Sequence, residues 1–364
     1  MIIIAYYLPQ YYPFKENNEW WGEGFTEWTN VGKAKPLFRG HYQPKVPADL
    51  GYYDLRMAEV KEKQVQLARE AGVTAFCYWH YWFGNGRVLL DLPLKQVLNT
   101  GKPDFPFCLG WANESWQSKV WNSDGSVEGK TLIEQLYPGD DDIILHFNYI
   151  KIAISDKRYL RIEGKPVFVI YKPLLYTNVS RFMEIWNKMI AECKIADSFF
   201  FIGHTCNSSE VEELIKLGFD AINIVRNGEY RYNPHVSKQI PLALFKFKIL
   251  HQPLILNYSF ISQFFIDEET DKKENIIPSL IPNWDHTPRS GCMGSLFHNS
   301  TPELFRKHAI RALEVIKDKP ESRQILFLKS WNEWGEGNYM EPDLRFGKGY
   351  ITALRDAIKE VFNH

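Results

Sequence analysis

The chain has 364 residues, of which 45% are hydrophobic and 24% charged, and this composition excludes a disordered chain. Lysine and arginine number 43 and aspartate and glutamate 44, so a net charge of −1 argues against a nucleic-acid-binding protein, which needs a basic face. Aromatic residues make up 15% of the chain. Because aromatic faces suit the apolar faces of sugar rings, this fraction favours a carbohydrate as the partner.

Short apolar runs rich in β-branched and aromatic residues recur along the chain. They are continuously apolar, as strands buried on both faces of a sheet are. They predict strands at 2–7, 73–79, 105–111, 167–171, 199–204, 219–225 and 325–330, with a further strand within 254–282. Segments 254–259 and 276–282 compete for that seventh strand. Amphipathic patterns between the runs predict helices at 54–71, 140–156, 180–192, 302–318 and 350–362.

Strand–helix alternation repeated about eight times is typical of an α/β protein with a single (β/α)8 TIM-type barrel. No Pro/Gly/Ser-rich linker interrupts the chain, so we expect one catalytic barrel domain over 1–364. Long βα loops follow the first strand, at 9–50, and the third, at 111–139, and together they hold six of the twelve tryptophans. Such loops build the active-site face of a barrel.

The most informative segment is SWNEWGEGNYMEP, at 330–342, directly after the last predicted strand. Catalytic groups of such barrels lie at that strand end. Glu333 and Glu336 stand three residues apart among tryptophans and glycines, so burial and mutual repulsion should separate their pKa values. Cleavage of a glycosidic bond needs that division between an acid and a base. Neighbouring candidates for substrate binding in the segment are Asn332, Trp334 and Glu341.

The tetrapeptide Trp-Gly-Glu-Gly occurs twice, at 21–24 and at 334–337, and Glu-Trp recurs with it at 27–28. The first copy follows strand one and the second follows strand eight, which are neighbours in a closed barrel. Four carboxylates are therefore expected to crowd one side of the mouth: Glu23, Glu27, Glu333 and Glu336. Trp28 is a further candidate for contact with a sugar.

Polar and aromatic side chains at the ends of the other strands suit sugar hydroxyls and rings. Asn113 and Glu114 follow the third strand as a plausible acid/base with a hydrogen-bonding neighbour. Asp285 and Arg289 form either a substrate-binding pair or a buried ion pair in the seventh unit. The remaining candidates for substrate binding are His80, Trp111, Trp116, Tyr171 and His204.

Other chemistries have weak support in the sequence. Phosphate-binding glycine motifs, H-E-x-x-H and C-x-x-C are absent, so we predict neither a cofactor nor a metal site. The acidic triplet at 140–142 resembles the metal-binding triplet of many glycosyltransferases, but it opens a predicted helix, where acids complement the dipole. The sequence shows neither a leader nor a membrane-spanning run, which predicts a cytoplasmic protein, and it gives no sign of a protein partner.

Four segments, at 24–56, 105–116, 164–173 and 330–342, together resemble the WbsX-like proteins. This group is similar to glycoside hydrolase family 99 and is often encoded among bacterial O-antigen and capsule (lipopolysaccharide and polysaccharide) biosynthesis genes. The resemblance implies a (β/α)8 barrel and a retaining reaction through a 1,2-anhydro sugar. By similarity, Glu333 would be the base that takes the proton of the 2-hydroxyl, and Glu336 the acid/base at the leaving oxygen.

The favoured hypothesis is therefore that the protein is a glycoside hydrolase or transglycosylase acting on a bacterial polysaccharide or its precursor. Three alternatives stay open. The protein could be a glycosyltransferase using an activated sugar donor, as many WbsX-like proteins are described. It could use Glu114 as acid/base and Glu333 as nucleophile in a double displacement. It could also be a sugar-binding barrel without catalysis.

Overall fold

Eight parallel strands close into a barrel in the computed structural model, which describes residues 1–121 and 127–362. The barrel strands are β1 (Ile2–Tyr7), β2 (Ala75–Trp82), β3 (Phe107–Trp111), β4 (Lys165–Ile170), β5 (Phe200–Thr205), β6 (Ala221–Ile224), β7 (Ile276–Leu280) and β8 (Ile325–Leu328). Each strand pairs with the next in chain order, and β8 pairs with β1. The predicted (β/α)8 barrel is confirmed.

Helices lie in the connections between these strands. In chain order they are α1 (Lys15–Trp21), α2 (Glu27–Lys33), α3 (Ala58–Ala71), α4 (Leu92–Thr100), α5 (Asp140–Ile154), α6 (Val179–Glu192), α7 (Val211–Lys216), α8 (Pro234–Gln239), α9 (Pro241–Ile249), α10 (Tyr258–Ile261), α11 (Glu268–Asp271), α12 (Thr287–Ser290), α13 (Pro302–Ile316) and α14 (Gly349–Phe362). None of these described helices is both long and apolar enough to cross a bilayer.

The barrel is filled by side chains that alternate along each strand. The Tyr6 ring stacks on Trp79 at 4.5 Å between centroids and also contacts His204 and Phe327, so residues from four strands meet at the axis. The Tyr6 hydroxyl donates to Asn223 Oδ1 at 3.0 Å, which satisfies both polar groups in the interior. The outward residues of the same strands pack under the helices. This period of two decides which strand-end side chains reach the mouth.

The seventh barrel strand is Ile276–Leu280, one of the two competing segments. The other segment forms a strand at Leu254–Asn257, which pairs in parallel with Ser295–His298 outside the barrel. This small sheet covers a second, smaller apolar cluster that includes Val236, Leu256 and Phe297. Both segments are therefore strands, and only the later one is in register with β6 and β8.

The two long βα loops are structured. The first holds α1 and α2. The second carries an antiparallel hairpin of strands Trp116–Trp121 and Val127–Ile133. The hairpin tip, 122–126, lies outside the described residues.

A buried ion pair fastens the excursion that follows β6. The guanidinium of Arg226 donates to both carboxylate oxygens of Asp271, at 2.7 and 2.9 Å. Both side chains are at most 2% exposed. The pair ties the end of β6 to α11, which lies just before β7. Removal of one partner would leave the other charge buried, which costs more free energy than the pair contributes.

We therefore expect Arg226→Met to lower the free energy of unfolding by about 3–5 kcal/mol. The double variant Arg226→Met/Asp271→Leu should recover most of that loss, because it removes the stranded carboxylate as well. Urea denaturation followed by circular dichroism measures both. A double variant as unstable as the single one would contradict this account.

Candidate active site

The segment after β8 folds into a tight hairpin at the mouth of the barrel. Strand Asn332–Glu333 pairs with Asn338–Tyr339, and a 3-10 turn, Trp334–Glu336, joins them. Gly337 closes the turn with a φ of 54°, a conformation that favours glycine. The turn brings Glu333 and Glu336 to the same side of the mouth.

The guanidinium of Arg289, on α12, lies among three carboxylates. Its Nη2 donates to Glu333 at 2.5 Å and its Nη1 to Glu336 at 2.7 Å. Its Nε donates to Glu27 Oε2 at 3.1 Å. The three acids come from α2 and from the β8 hairpin, so three of the four carboxylates expected at this side of the mouth lie together, and Glu23 does not.

Gly335 allows this approach. A Cβ atom at Gly335 would overlap the carboxylate of Glu27 and would lie 3.0 Å from Arg289 Nε. Any residue larger than glycine at position 335 would therefore push Glu27 or Arg289 out of place. The first glycine of the Trp-Gly-Glu-Gly tetrapeptide at 334–337 is therefore required for steric reasons.

The two carboxyl groups of the hairpin differ in charge. Burial raises the pKa of Glu333 to about 7, and the charges of Glu336 and Glu27 add to this effect against the opposing charge of Arg289. Burial would also raise the pKa of Glu336, but the charges of Arg289, His286 and Lys329 outweigh it and the pKa falls below its usual value. At neutral pH the pair therefore has one ionised member, Glu336, while Glu333 sits near its midpoint.

A buried network from the first loop supports the hairpin. The backbone N–H of Asp285 donates to the Glu336 carbonyl at 2.6 Å, and Lys45 Nζ donates to the Gly337 carbonyl at 3.1 Å. His41 and Gln43 both hydrogen-bond Asp285 Oδ2, at 2.8 and 2.7 Å. Burial would raise the pKa of Asp285, but these bonds and the charge of Lys45 lower it to about 2.

Asp285 was predicted to bind substrate. Both of its carboxylate oxygens are already hydrogen-bonded within the protein, Oδ2 to His41 and Gln43 and Oδ1 to Thr287. Sequence reasoning did not single out His41, Gln43 and Lys45. They lie in the 24–56 segment that carries the resemblance, which was the available signal.

Asn332, Trp334 and Glu341 anchor the hairpin. Asn332 accepts from the Leu8 N–H at 2.8 Å and donates to the Leu8 carbonyl at 3.0 Å, which fixes the hairpin to the end of β1. Trp334 stacks on Tyr339 and donates to Glu341 at 2.7 Å. Burial raises the pKa of Glu341 to about 7, although three donors bind its carboxylate. These three residues are buried supports of the turn.

Several predicted contacts lie away from the carboxylate cluster. His80 and Trp111 point outward between the barrel and α5, where both contact the His146 ring. Asn113 hydrogen-bonds Lys172 and Tyr137 and holds two loops together. Glu23 is exposed and accepts from Asn18 at 3.0 Å. The structure does not bring these four residues to the three acids.

Other predicted residues do line the mouth. Burial raises the pKa of Glu114. The charge of Lys172 opposes this rise, and the nearby charge of Glu336 adds to it. Tyr171 contacts Trp79 and His204 at the top of the barrel interior. Burial raises the pKa of its hydroxyl, and the charges of Glu114, Glu336 and Glu333 raise it further. Trp116 packs its edge against Tyr81, and Trp28 packs between Tyr11 and Trp334.

The acidic triplet at the start of α5 is engaged in local contacts. Asp142 accepts from the Trp82 indole at 3.0 Å and from the Asn85 N–H at 2.6 Å, and Asp140 pairs with Arg181. Within residues 1–121 and 127–362, no group of three His, Cys, Asp or Glu side chains has the geometry to hold a metal ion.

Comparison with known proteins points to one family. The sequence model of the family described as Glycosyltransferase WbsX matches residues 3–354. The uncharacterized protein WxcX from two strains of Xanthomonas campestris pv. campestris is 31% and 30% identical over 98% of this chain. The chain spans about half the length of these curated relatives, 49% in each case.

Solved structures share the barrel. The family 99 endo-alpha-mannosidase from Bacteroides thetaiotaomicron superposes with a TM-score of 0.57 at 18% identity, covering 99% of this chain and 97% of that one. A glycoside hydrolase-like protein gives a TM-score of 0.58 at 14% identity, over 98% and 93% of the two chains. At these identities the similarity establishes the fold.

We expect Gly335→Ala to lower the free energy of unfolding by about 1–3 kcal/mol, because its methyl group would displace Glu27 or Arg289. Gly32→Ala in α2 is the matched control. A Cβ there has no described heavy atom within 4 Å, so the helix should be unchanged or more stable by about 0.5–1 kcal/mol. Urea denaturation compares the two, and equal effects would refute the steric role of Gly335.

The raised pKa of Glu333 predicts a pH dependence of stability. The folded protein keeps a proton that the unfolded chain releases near pH 4.5, so the contribution of Glu333 to the free energy of unfolding should fall as pH rises from about 4.5 to 7. Buried histidines with lowered pKa values, such as His80, contribute in the opposite direction, so the test compares the wild-type protein with a variant of Glu333. Glu341 titrates in the same window. Across this window the free energy of unfolding of Glu333→Gln should therefore rise relative to that of the wild-type protein by up to roughly 3 kcal/mol. Urea titrations at several pH values measure it, and an unchanged slope in the variant would exclude this titration.

Proposed function

This chain belongs to the family described as Glycosyltransferase WbsX, and we propose that it breaks or transfers glycosidic bonds of a bacterial polysaccharide or its precursor, with retention. The reacting carboxyl groups are Glu333 and Glu336. One observation carries the proposal: the two groups sit in one buried turn, share the Arg289 guanidinium and have pKa values displaced in opposite directions.

The chemistry of a glycosidic bond explains why this observation matters. The leaving oxygen needs a proton, and a second carboxylate must act on the sugar as base or nucleophile. Two carboxyl groups in separate solvated positions would both be ionised at neutral pH. Here burial and a single shared cation favour one proton on the pair, so an acid and a base are available together.

The roles within the pair can be assigned in two ways. The resemblance to family 99 implies Glu333 as the base at the 2-hydroxyl and Glu336 as the acid/base, with a 1,2-anhydro sugar between the two steps. In the free site the proton belongs to Glu333 instead, because Arg289 and His286 hold Glu336 ionised. The implied roles therefore require the proton to pass from Glu333 to Glu336 when the sugar enters and alters the contacts of Arg289.

The surroundings of the pair support a sugar as the ligand. Glu114 and Tyr171 are polar groups at the top of the barrel, where hydroxyls of a bound ring would lie. Trp116 presents a half-buried aromatic ring beside Tyr81. The similar structure from Bacteroides thetaiotaomicron is an endo-alpha-mannosidase, which supports an endo-acting enzyme on a long chain.

A second candidate is glycosyl transfer from an activated donor, which the family's description favours. It differs from hydrolysis in needing a nucleotide- or lipid-linked sugar. Calorimetry with a panel of such donors separates the two functions. Binding of a donor by the wild-type protein, with release of its phosphate-bearing group in the presence of an acceptor, would favour transfer over hydrolysis.

We expect Glu333→Gln and Glu336→Gln each to lower turnover by about 10²- to 10⁴-fold while polysaccharide binding is retained. Glu23→Gln is the matched control, because Glu23 holds the position of Glu336 in the other copy of the tetrapeptide and is exposed. A screen of labelled bacterial polysaccharides followed by chromatography of the products measures cleavage or transfer. Full activity of either hairpin variant would overturn the proposal.

Substrates with different leaving groups distinguish the acid from the base. A substrate with a good aryl leaving group does not need an acid, so the variant of the acid should recover much of its turnover and the variant of the base should not. If Glu114→Gln, rather than a hairpin variant, shows this recovery, the double displacement with Glu114 as acid/base replaces the anhydro-sugar route.

A further inference from the structure

The excursion between β6 and β7 carries a helix, α9, that is apolar on two faces. Its inner face, Ala243, Leu244 and Phe247, packs against the second apolar cluster. Its outer face presents Leu242, Phe245 and Ile249 with 64%, 52% and 60% of their surface exposed. All nine residues of α9 are exposed or half-buried. Only the inner face has its apolar partner within this excursion.

A wide apolar face of a helix is normally covered by another element. Soluble proteins rarely leave neighbouring large apolar side chains in water, and such a patch marks a contact surface. Leu250, which is 53% exposed, continues the patch at the end of α9. The outer face of α9 therefore requires a partner.

The charge around the patch indicates which kind of partner. No Asp or Glu occurs between residues 230 and 266, although the whole chain carries 44 acidic residues in 364. The same segment holds Lys238 on α8 and Lys246 and Lys248 on α9, all exposed. Because the inner face of α9 packs against the fold, the side that meets solvent combines large apolar side chains with lysines, and this combination favours the surface of an anionic bilayer.

We propose that α8 and α9 form a docking element for the surface of an anionic lipid bilayer. At about 1.5 Å per residue, the nine residues of α9 extend roughly 14 Å, about half of the hydrocarbon thickness, so the helix lies on the bilayer. Leu242, Phe245 and Ile249 enter the boundary between headgroups and acyl chains. The lysines contact the lipid phosphates.

The place of α9 in the fold gives this contact an orientation. The excursion leaves the carboxyl end of β6, the same end of the barrel from which the Glu333 hairpin emerges. Its strand Leu254–Asn257 pairs with Ser295–His298, in the connection that also holds Arg289. A bilayer under α9 would therefore lie beside the barrel mouth. If the proposed function is right, the substrate class includes glycans attached to a lipid; the docking itself does not depend on that function.

Vesicle flotation with the full chain tests the proposal. We expect the protein to float with vesicles of phosphatidylcholine mixed with phosphatidylglycerol, much less with phosphatidylcholine alone, and less in high salt. Ile249→Glu should weaken the partition coefficient at least about tenfold. Lys246→Gln should weaken it about fivefold.

Matched control variants distinguish binding by this surface from non-specific adsorption to vesicles. Ile152 on α5 is 64% exposed, and Lys188 on α6 is an exposed lysine. Ile152→Glu and Lys188→Gln should leave flotation unchanged, and circular dichroism checks that every variant is folded. Equal losses in the control variants, or no flotation with anionic vesicles, would overturn the proposal. So would a wild-type dimer in light scattering that Ile249→Glu converts to a monomer, because the patch would then bind a second copy.

Discussion

One guanidinium shared by three carboxylates is the interaction on which the rest of the site depends. Glu27, Glu333 and Glu336 approach each other in a buried place, where like charges repel strongly. Arg289 compensates part of that repulsion, and protonation of Glu333 compensates another part. The difference in charge between the two hairpin acids therefore follows from burial and from the unequal contacts of three acids with one shared cation.

The fold could be predicted from the sequence because barrel strands are buried on both faces and therefore read as continuous apolar runs. The one ambiguous strand was ambiguous for a physical reason. Segments 254–257 and 276–280 are both strands, and only their partners distinguish them. Nothing local to either run encodes which sheet it joins, since register depends on residues far away in the chain.

The site could be predicted only in part. The glutamates of the hairpin and the nearness of Glu27 followed from position, because chain order places strands one and eight side by side. His80 and Trp111 were wrongly expected at the mouth, since alternation along β2 and β3 turns them outward to α5. Asp285 and Arg289 were considered as a pair, but Arg289 joins the acids while Asp285 binds His41 and Gln43. That division depends on a loop more than 200 residues distant.

The hairpin after β8 places Glu333 and Glu336 within a single turn of four residues, whereas Arg289 and Glu27 belong to α12 and α2. A displacement of α12 would therefore change the distance of the two acids from Arg289 more than the distance between the acids. Small motions of α12 would shift the affinity for the proton from one acid to the other without deforming either. The balance of charge within the pair could then change while the hairpin keeps its shape.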